Sequence, residues 1–119
     1  MSVNEQTAVP IACDLTAIDA VEREQHVLTA KELFAAVVEV KELSDGYAFR
    51  LPVEDVMLRS AAEWMANERL CCPFFTFALR VEAQSAALWL SLTGSEDVKA
   101  FIRAEFGNVL SEAVAAGLG

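Results

Sequence analysis

The chain has 119 residues, of which 55% are hydrophobic and 23% are charged. That is enough apolar material for one core and too short a chain for two domains. Nine Lys and Arg residues against eighteen Asp and Glu residues give a formal net charge of −9. Nucleic acid and anionic membrane surfaces would repel such a protein. The longest apolar stretch, residues 70–79, is about half of the ~20 residues that a membrane span needs.

The N-terminus and the cysteine count indicate the compartment. The first ten residues carry Glu5 and no basic residue, unlike a secretory signal. Three cysteines are an odd number, which favours reduced thiols over a disulfide framework. We therefore expect a cytoplasmic protein with a flexible N-terminus at residues 1–7, a single domain at residues 8–107 and a C-terminal tail at residues 108–119.

The first half of the domain predicts a strand, a helix and a hairpin. We expect residues 9–15 to form a short strand, and Asp14 or Thr16 to cap a helix over residues 17–36. Alternation of apolar and charged residues predicts a strand over residues 37–43. Ser44-Asp45-Gly46 turns the chain into a second strand at residues 47–51, which completes a β-hairpin.

The second half predicts a helix, a second pair of strands and a last helix. Pro52 ends the preceding strand, and a helix follows over residues 53–72, which Pro73 ends. Its apolar stripe has the spacing of one helical face: Met57, Ala61, Trp64, Met65 and Cys72. Alternating residues predict antiparallel strands over residues 74–82 and 88–92. Ser95 caps a helix that runs to about residue 106, where Gly107 ends it.

This order of elements begins as the split β-α-β unit of ferredoxin-like folds. We predict an α+β, ferredoxin-like βαββαβ fold with an antiparallel sheet, extended by a further strand and a C-terminal helix. In that topology the first strand and the second helix end at the same edge of the sheet. The strand that starts at Phe74 would lie beside the first strand, so Cys13 would meet Cys71 and Cys72.

Three thiolates at one edge suit a soft ion such as Hg(II), Cu(I) or Zn(II), because polarisable sulfur binds these ions more strongly than oxygen does. Zn(II) normally takes a fourth ligand. Glu68 is the candidate, because it precedes Cys72 by four residues on the apolar helix face. His26, the one histidine of the chain, lies between charged residues and is predicted to be a solvated or half-buried bystander.

Two other roles for the cysteines stay open. Buried free cysteines are often only small hydrophobic residues, and Cys-Cys-Pro lacks the two-residue spacer of Cys-x-x-Cys. A thiol redox role would pair Cys13 with Cys71 or Cys72. Of these, Cys13 is the reactive candidate, because it precedes a helix N-terminus, where a thiolate is favoured. The sequence has no Gly-rich phosphate loop and no Gly-x-Ser-x-Gly motif, so it does not predict an enzyme.

The sheet face predicted to point away from the helices supports a separate hypothesis. It contains Phe74 and Trp89 among small or polar residues. The others are Ala48, Arg50, Thr76, Ala78 and Ser91. An open face of this kind usually finds a cover, so we expect a homodimer in which Phe74 and Trp89 are buried. A non-catalytic dimeric module that binds a small apolar ligand is the corresponding alternative function.

The most unusual local motif is Glu-Arg-Leu-Cys-Cys-Pro-Phe-Phe-Thr-Phe at residues 68–77. Together with residues 12–16, 45–49 and 88–94, it resembles a group of small uncharacterised bacterial α+β proteins with a Glu-Arg-x-Cys-Cys-Pro-Phe motif. The resemblance covers nearly the whole domain. It implies no assigned activity, only an association with metal and mercury contexts. Heavy-metal-associated ferredoxin-like domains also carry a thiol at the loop of Cys13, but this sequence lacks their Cys-x-x-Cys there, so a copper-chaperone function is not implied.

Overall fold

The computed structural model describes residues 11–84 and 86–110. A short 3-10 turn, Leu15–Ala17, comes first, and three α-helices and four strands follow. In chain order they are α1 Ala20–Ala35, β1 Glu39–Leu43, β2 Gly46–Leu51, α2 Asp55–Cys71, β3 Thr76–Val81, β4 Leu88–Thr93 and α3 Glu96–Glu105. The predicted N-terminal segment at residues 1–7 and residues 111–119 of the predicted tail lie outside the described residues. No helix within these ranges is long and apolar enough to cross a bilayer.

The four strands form one antiparallel sheet in the order β1-β2-β4-β3. Each predicted hairpin is present, with Val40 opposite Phe49 in the first and Leu79 opposite Leu90 in the second. The hairpins join through β2 and β4, where Phe49 lies opposite Leu90. The α+β class and the antiparallel sheet are thus confirmed.

The ferredoxin-like arrangement is not confirmed. That fold needs a strand before the first helix, but residues 11–14 are irregular and Leu15–Ala17 is a 3-10 turn. Residues 9 and 10 of the predicted strand lie outside the described part of the chain. β4 occupies the position between β2 and β3 that the ferredoxin topology gives to the first strand. Its inward leucines, at positions 88, 90 and 92, are each 0% exposed, so β4 supplies the apolar face that a central strand requires.

The helices pack on one face of this sheet. Phe49 and Phe77 point to the same side, because side chains two residues apart and directly paired positions share a face. Phe34 of α1 contacts Phe49, with ring centroids 5.3 Å apart. Trp64 of α2 contacts Phe77 at 5.8 Å. The core therefore lies between the sheet and the helices.

The start of α1 and the end of α3 differ from the prediction, whereas the start of α3 agrees with it. α1 begins at Ala20, because Asp14 caps the 3-10 turn instead, accepting a hydrogen bond from Thr16 N at 3.0 Å. Ser95 caps α3 as predicted, accepting from Val98 N at 3.3 Å. α3 ends at Glu105, but residues 107–110 are helical again. Position 107 is therefore not where helical structure ends.

The two predicted interface residues lie in different places. Trp89 is half-buried on the sheet face opposite the helices, between Arg50 and Arg80 on the neighbouring strands. Lys41 Nζ lies 4.7 Å from its ring centroid. Phe74 was predicted on this same face, and that placement is wrong. Its ring contacts Phe75 at 5.0 Å and Phe101 of α3 at 5.2 Å, because the chain has not yet entered β3 at this position.

Candidate functional site

Cys13, Cys71 and Cys72 meet at the C-terminal end of α2. Cys71 is the last residue of the helix, and Cys72 follows it. Cys13 reaches them from the irregular segment before α1. The three Sγ atoms all lie within 4.8 Å of one another. The structure therefore brings the three cysteines together, although the topology from which their meeting was predicted is not the observed one.

The segment that carries Cys13 is held against the end of α2 by backbone contacts. Asp14 N donates a hydrogen bond to Cys71 O at 2.9 Å. Arg23 of α1 donates from Nε to the backbone oxygens of Leu15 and Ile18, each at 3.0 Å. This segment therefore crosses the helix end and does not pair with the sheet.

Cys13 and Cys72 form a disulfide. Their Cα atoms are 4.7 Å apart, within the range that this bond spans. The odd cysteine count favoured three reduced thiols, so this bond corrects that expectation for two of them. Cys13 is exposed, whereas Cys72 is 0% exposed. Cys71 is buried and free, and its Sγ lies 3.8 Å from Cys72 Sγ.

Glu68 connects the sulfurs to His26. Its Oε2 lies 3.2 Å from Cys72 Sγ, and its Oε1 lies 2.8 Å from His26 Nε2. The spacing of four residues places Glu68 and Cys72 on the same side of the last helical turn. Cys72 N also donates to Glu68 O at 2.6 Å, which closes that turn. Glu68 is 9% exposed, so its carboxyl is buried beside the disulfide.

The prediction that His26 is solvated or half-buried is wrong. His26 is 4% exposed, and its ring stacks on Trp64 with centroids 6.5 Å apart. It belongs to the buried stripe of α1 with Thr29 and Leu33. Because two of these three residues, His26 and Thr29, are polar, the stripe was not recognised as a buried helix face. The spacing of i, i+3 and i+7 was the signal that could have revealed it.

The surroundings of the His26 ring determine its tautomer. Nδ1 is buried with no hydrogen-bond partner. A proton on Nε2 lets the ring donate to the Glu68 carboxylate and leaves only a lone pair unpaired at Nδ1. A proton on Nδ1 would bury a donor without an acceptor, which costs about 1–3 kcal/mol. We therefore assign the Nε2–H tautomer, which donates to Glu68.

Burial raises the pKa of two groups at this site, Glu68 and Cys71. Burial raises the pKa of Glu68 above its ordinary value near 4.5, and the hydrogen bond with His26 only partly opposes this. Burial also raises the pKa of the Cys71 thiol, and the nearby Glu68 charge adds to the effect. Cys71 therefore holds its proton tightly unless a cation compensates for the charge of the thiolate.

A cleft of about 300 Å³ opens beside the sulfurs. Its polar lining includes Cys13, Cys71, Glu68 and His26. Six mostly apolar side chains also line the cleft, namely Leu15, Val27, Ala30, Phe34, Trp64 and Phe106. Lys31 and Glu105 add one charge of each sign. Its volume is at the lower end of small-molecule sites, so a small ligand can approach the cysteines.

Fold and site together define an α+β protein with a largely buried three-sulfur cluster at the end of a helix. Comparison of the chain with known protein families, with curated proteins and with solved structures finds no match. The function of the cluster must therefore follow from the chemistry of its own residues.

Proposed function

We propose that the reduced protein binds a soft metal ion, Hg(II), Cu(I) or Zn(II), through Cys13, Cys71 and Cys72 in the cytoplasm. The observation that carries this proposal is the spacing of the three Sγ atoms, all within 4.8 Å of one another. Thiolate sulfur is the ligand that these ions prefer. Such a site would serve to sequester, transfer or sense the ion.

The distances between ligand atoms support this site. Zn–S bonds of about 2.3 Å in a tetrahedron place two sulfurs about 3.8 Å apart. The Sγ atoms of Cys71 and Cys72 are 3.8 Å apart. Cys13 must first be released from its disulfide with Cys72. The disulfide and the metal site are therefore alternative states of the same sulfurs.

The contacts of Glu68 support it as the fourth ligand in this proposal. A carboxylate oxygen and a thiolate on one tetrahedral Zn(II) would be about 3.5 Å apart. Glu68 Oε2 and Cys72 Sγ are 3.2 Å apart. His26 holds the other oxygen of the carboxylate, which fixes its orientation. A bound cation would also offset the partial negative charge of the helix C-terminus, which disfavours thiolates there.

Titration of the reduced protein against a competing chelator, under anaerobic conditions, tests the proposal. We expect uptake of one ion per chain. Cys71→Ser is the decisive variant, because Cys71 takes no part in the disulfide. Loss of this ligand should weaken binding by about tenfold or more, comparable to other changes at metal sites.

Ala12→Ser is the matched control, because it adds a hydroxyl beside Cys13 and removes no sulfur. It should bind as the wild type does. Glu68→Gln should weaken Zn(II) binding if the carboxylate is the fourth ligand. Equal affinities of the wild type and the triple Cys→Ser variant would overturn the proposal.

A further inference from the structure

We infer that the Cys13–Cys72 disulfide is a reversible couple that exchanges with a small peptide-like thiol bound in the adjacent cleft, and that Cys13 is the sulfur attacked. This activity needs two sulfurs, whereas the proposed metal site needs three. A failure of metal binding would therefore not contradict this exchange activity.

The two sulfurs of the disulfide differ in accessibility. Cys13 is exposed and lines the cleft. Cys72 is fully buried and is absent from the cleft lining. In thiol–disulfide exchange, access decides which sulfur an incoming thiolate attacks. The incoming sulfur therefore bonds to Cys13, and Cys72 is the leaving group.

The exchange balances with a low-molecular-weight thiol, RSH, as the reductant. The thiolate RS⁻ bonds to Cys13 Sγ, the Cys13–Cys72 bond breaks, and its electron pair stays on Cys72 Sγ. Cys72 takes up the proton that RSH released. A second RS⁻ then attacks the R-bearing sulfur of the mixed disulfide, RSSR leaves, and Cys13 takes up the second proton. Two RSH are oxidised to RSSR, and the protein disulfide is reduced to two thiols.

The structure also contains a partner for the buried thiol that this reaction creates. Glu68 Oε2 lies 3.2 Å from Cys72 Sγ, at a distance that lets it accept a hydrogen bond from the Cys72 thiol. His26 Nε2 holds Oε1 at 2.8 Å, so the accepting oxygen is fixed in place. Reduced Cys72 is therefore accommodated without an unpaired buried donor.

The cleft lining indicates the class of thiol. Leu15, Val27 and Phe34 supply apolar surface, while Lys31 and Glu105 supply one positive and one negative charge. A thiol with an aliphatic body, a carboxylate and an ammonium group complements this lining. Short cysteine-containing peptides have that chemistry, and glutathione is the probe.

Incubation of the full chain in glutathione buffers tests the couple, with alkylation and mass measurement to count free thiols. We expect the Cys13–Cys72 disulfide to open and re-form as the ratio of reduced to oxidised glutathione changes. Cys71→Ser keeps both sulfurs of the couple, so its disulfide should still open and re-form, although the variant should lose metal affinity. A disulfide that stays intact in the folded protein under excess reduced glutathione would overturn the inference.

Single variants test which sulfur is attacked. With oxidised glutathione, Cys72→Ser should gain one adduct on Cys13. Cys13→Ser, which retains only the buried thiols, should react about tenfold or more slowly. Equal rates would contradict the assignment. Peptide mapping of the mixed disulfide in the wild type gives an answer that does not depend on how the variants fold, and we expect the adduct on Cys13.

The charged pair tests the substrate class. Lys31→Ala and Glu105→Ala should each slow exchange with glutathione by about two- to fivefold, as expected for loss of an exposed charge contact. Exchange with uncharged 2-mercaptoethanol should stay constant in both variants. A ratio of the two rates that neither variant changes would overturn the peptide-like class.

Discussion

Reduction of the Cys13–Cys72 disulfide should remove a large part of the stability of the fold. The bond joins residues 59 positions apart. A closed loop of that length lowers the entropy of the unfolded chain by about 14 cal/mol/K, or about 4 kcal/mol at 25 °C. Whole domains are stable by about 5–15 kcal/mol. The reduced protein should therefore still fold, but with a much smaller margin.

Urea unfolding with and without dithiothreitol measures the difference in stability between the oxidised and the reduced protein. The fluorescence of Trp64, which is buried in the core, reports the unfolding transition. With a urea dependence of about 2 kcal/mol per molar, reduction should lower the midpoint by about 2 M. Cys13→Ser is the control, because dithiothreitol should not shift its midpoint. If alkylation proves reduction of the wild type and the midpoints still coincide, the entropy argument is refuted.

Three further predictions concern the buried pair, the open sheet face and a close strand contact. His26→Leu should cost about 3 kcal/mol at pH 7, because it leaves the Glu68 carboxyl buried without its partner. Burial makes the protonated Glu68 carboxyl easier to accommodate in the fold than the carboxylate, so the contribution of this carboxyl to stability is highest at low pH and falls as pH rises through the raised pKa. At pH 5 more of the Glu68 carboxyl is protonated, so the stability cost of His26→Leu should be smaller than at pH 7. Equal costs in urea unfolding at both pH values would contradict the assigned hydrogen bond from His26 to the Glu68 carboxylate. Trp89→Glu should convert the expected homodimer to a monomer in sedimentation, because the dimer would cover the Trp ring; a wild-type monomer at micromolar concentration would reject the dimer. Gly46→Ala should destabilise by about 1–3 kcal/mol, because the added Cβ would overlap the backbone of β4. Gly107→Ala is its control, since a Cβ there meets nothing within 4 Å, and thermal melts of equal midpoint would refute the overlap.

Local patterns in the sequence determined much of the fold correctly. The alternation around Val40 and the turn at Gly46 predicted the first hairpin, and Ser95 predicted the start of α3. In each case the signal and its partner lie within a few residues of each other, so the chain itself contains the information.

The order of strands in the sheet could not be predicted in this way. Residues 9–15 resemble a strand over a short window, but pairing depends on which segment best fills the centre of the sheet. The three inward leucines of β4 are each 0% exposed, so β4 supplies the apolar face that the central position requires. Asp14 instead uses its side chain to cap a 3-10 turn.

The candidate site was only partly predictable for a similar reason. Glu68 and Cys72 are four residues apart, so their proximity follows from helix geometry. His26 and Glu68 are 42 residues apart, and their contact depends on how α1 packs against α2. A lone histidine among charged residues carries no sign of such a partner. The disulfide with Cys72 also depends on how the end of α2 is oriented.

The attachment of the segment before α1 has a consequence for local dynamics. Residues 11–19 place a single fully buried side chain in the core, that of Ile18, so after reduction this segment can open while the sheet stays folded. Each opening would break the hydrogen bond from Asp14 N to Cys71 O and admit solvent to the two buried sulfurs. Amide hydrogen exchange at Asp14 should then accelerate on reduction while Leu90 in the central strand remains protected. The covalent state of one cysteine pair would thereby set how often the interior of the cluster is exposed to solvent.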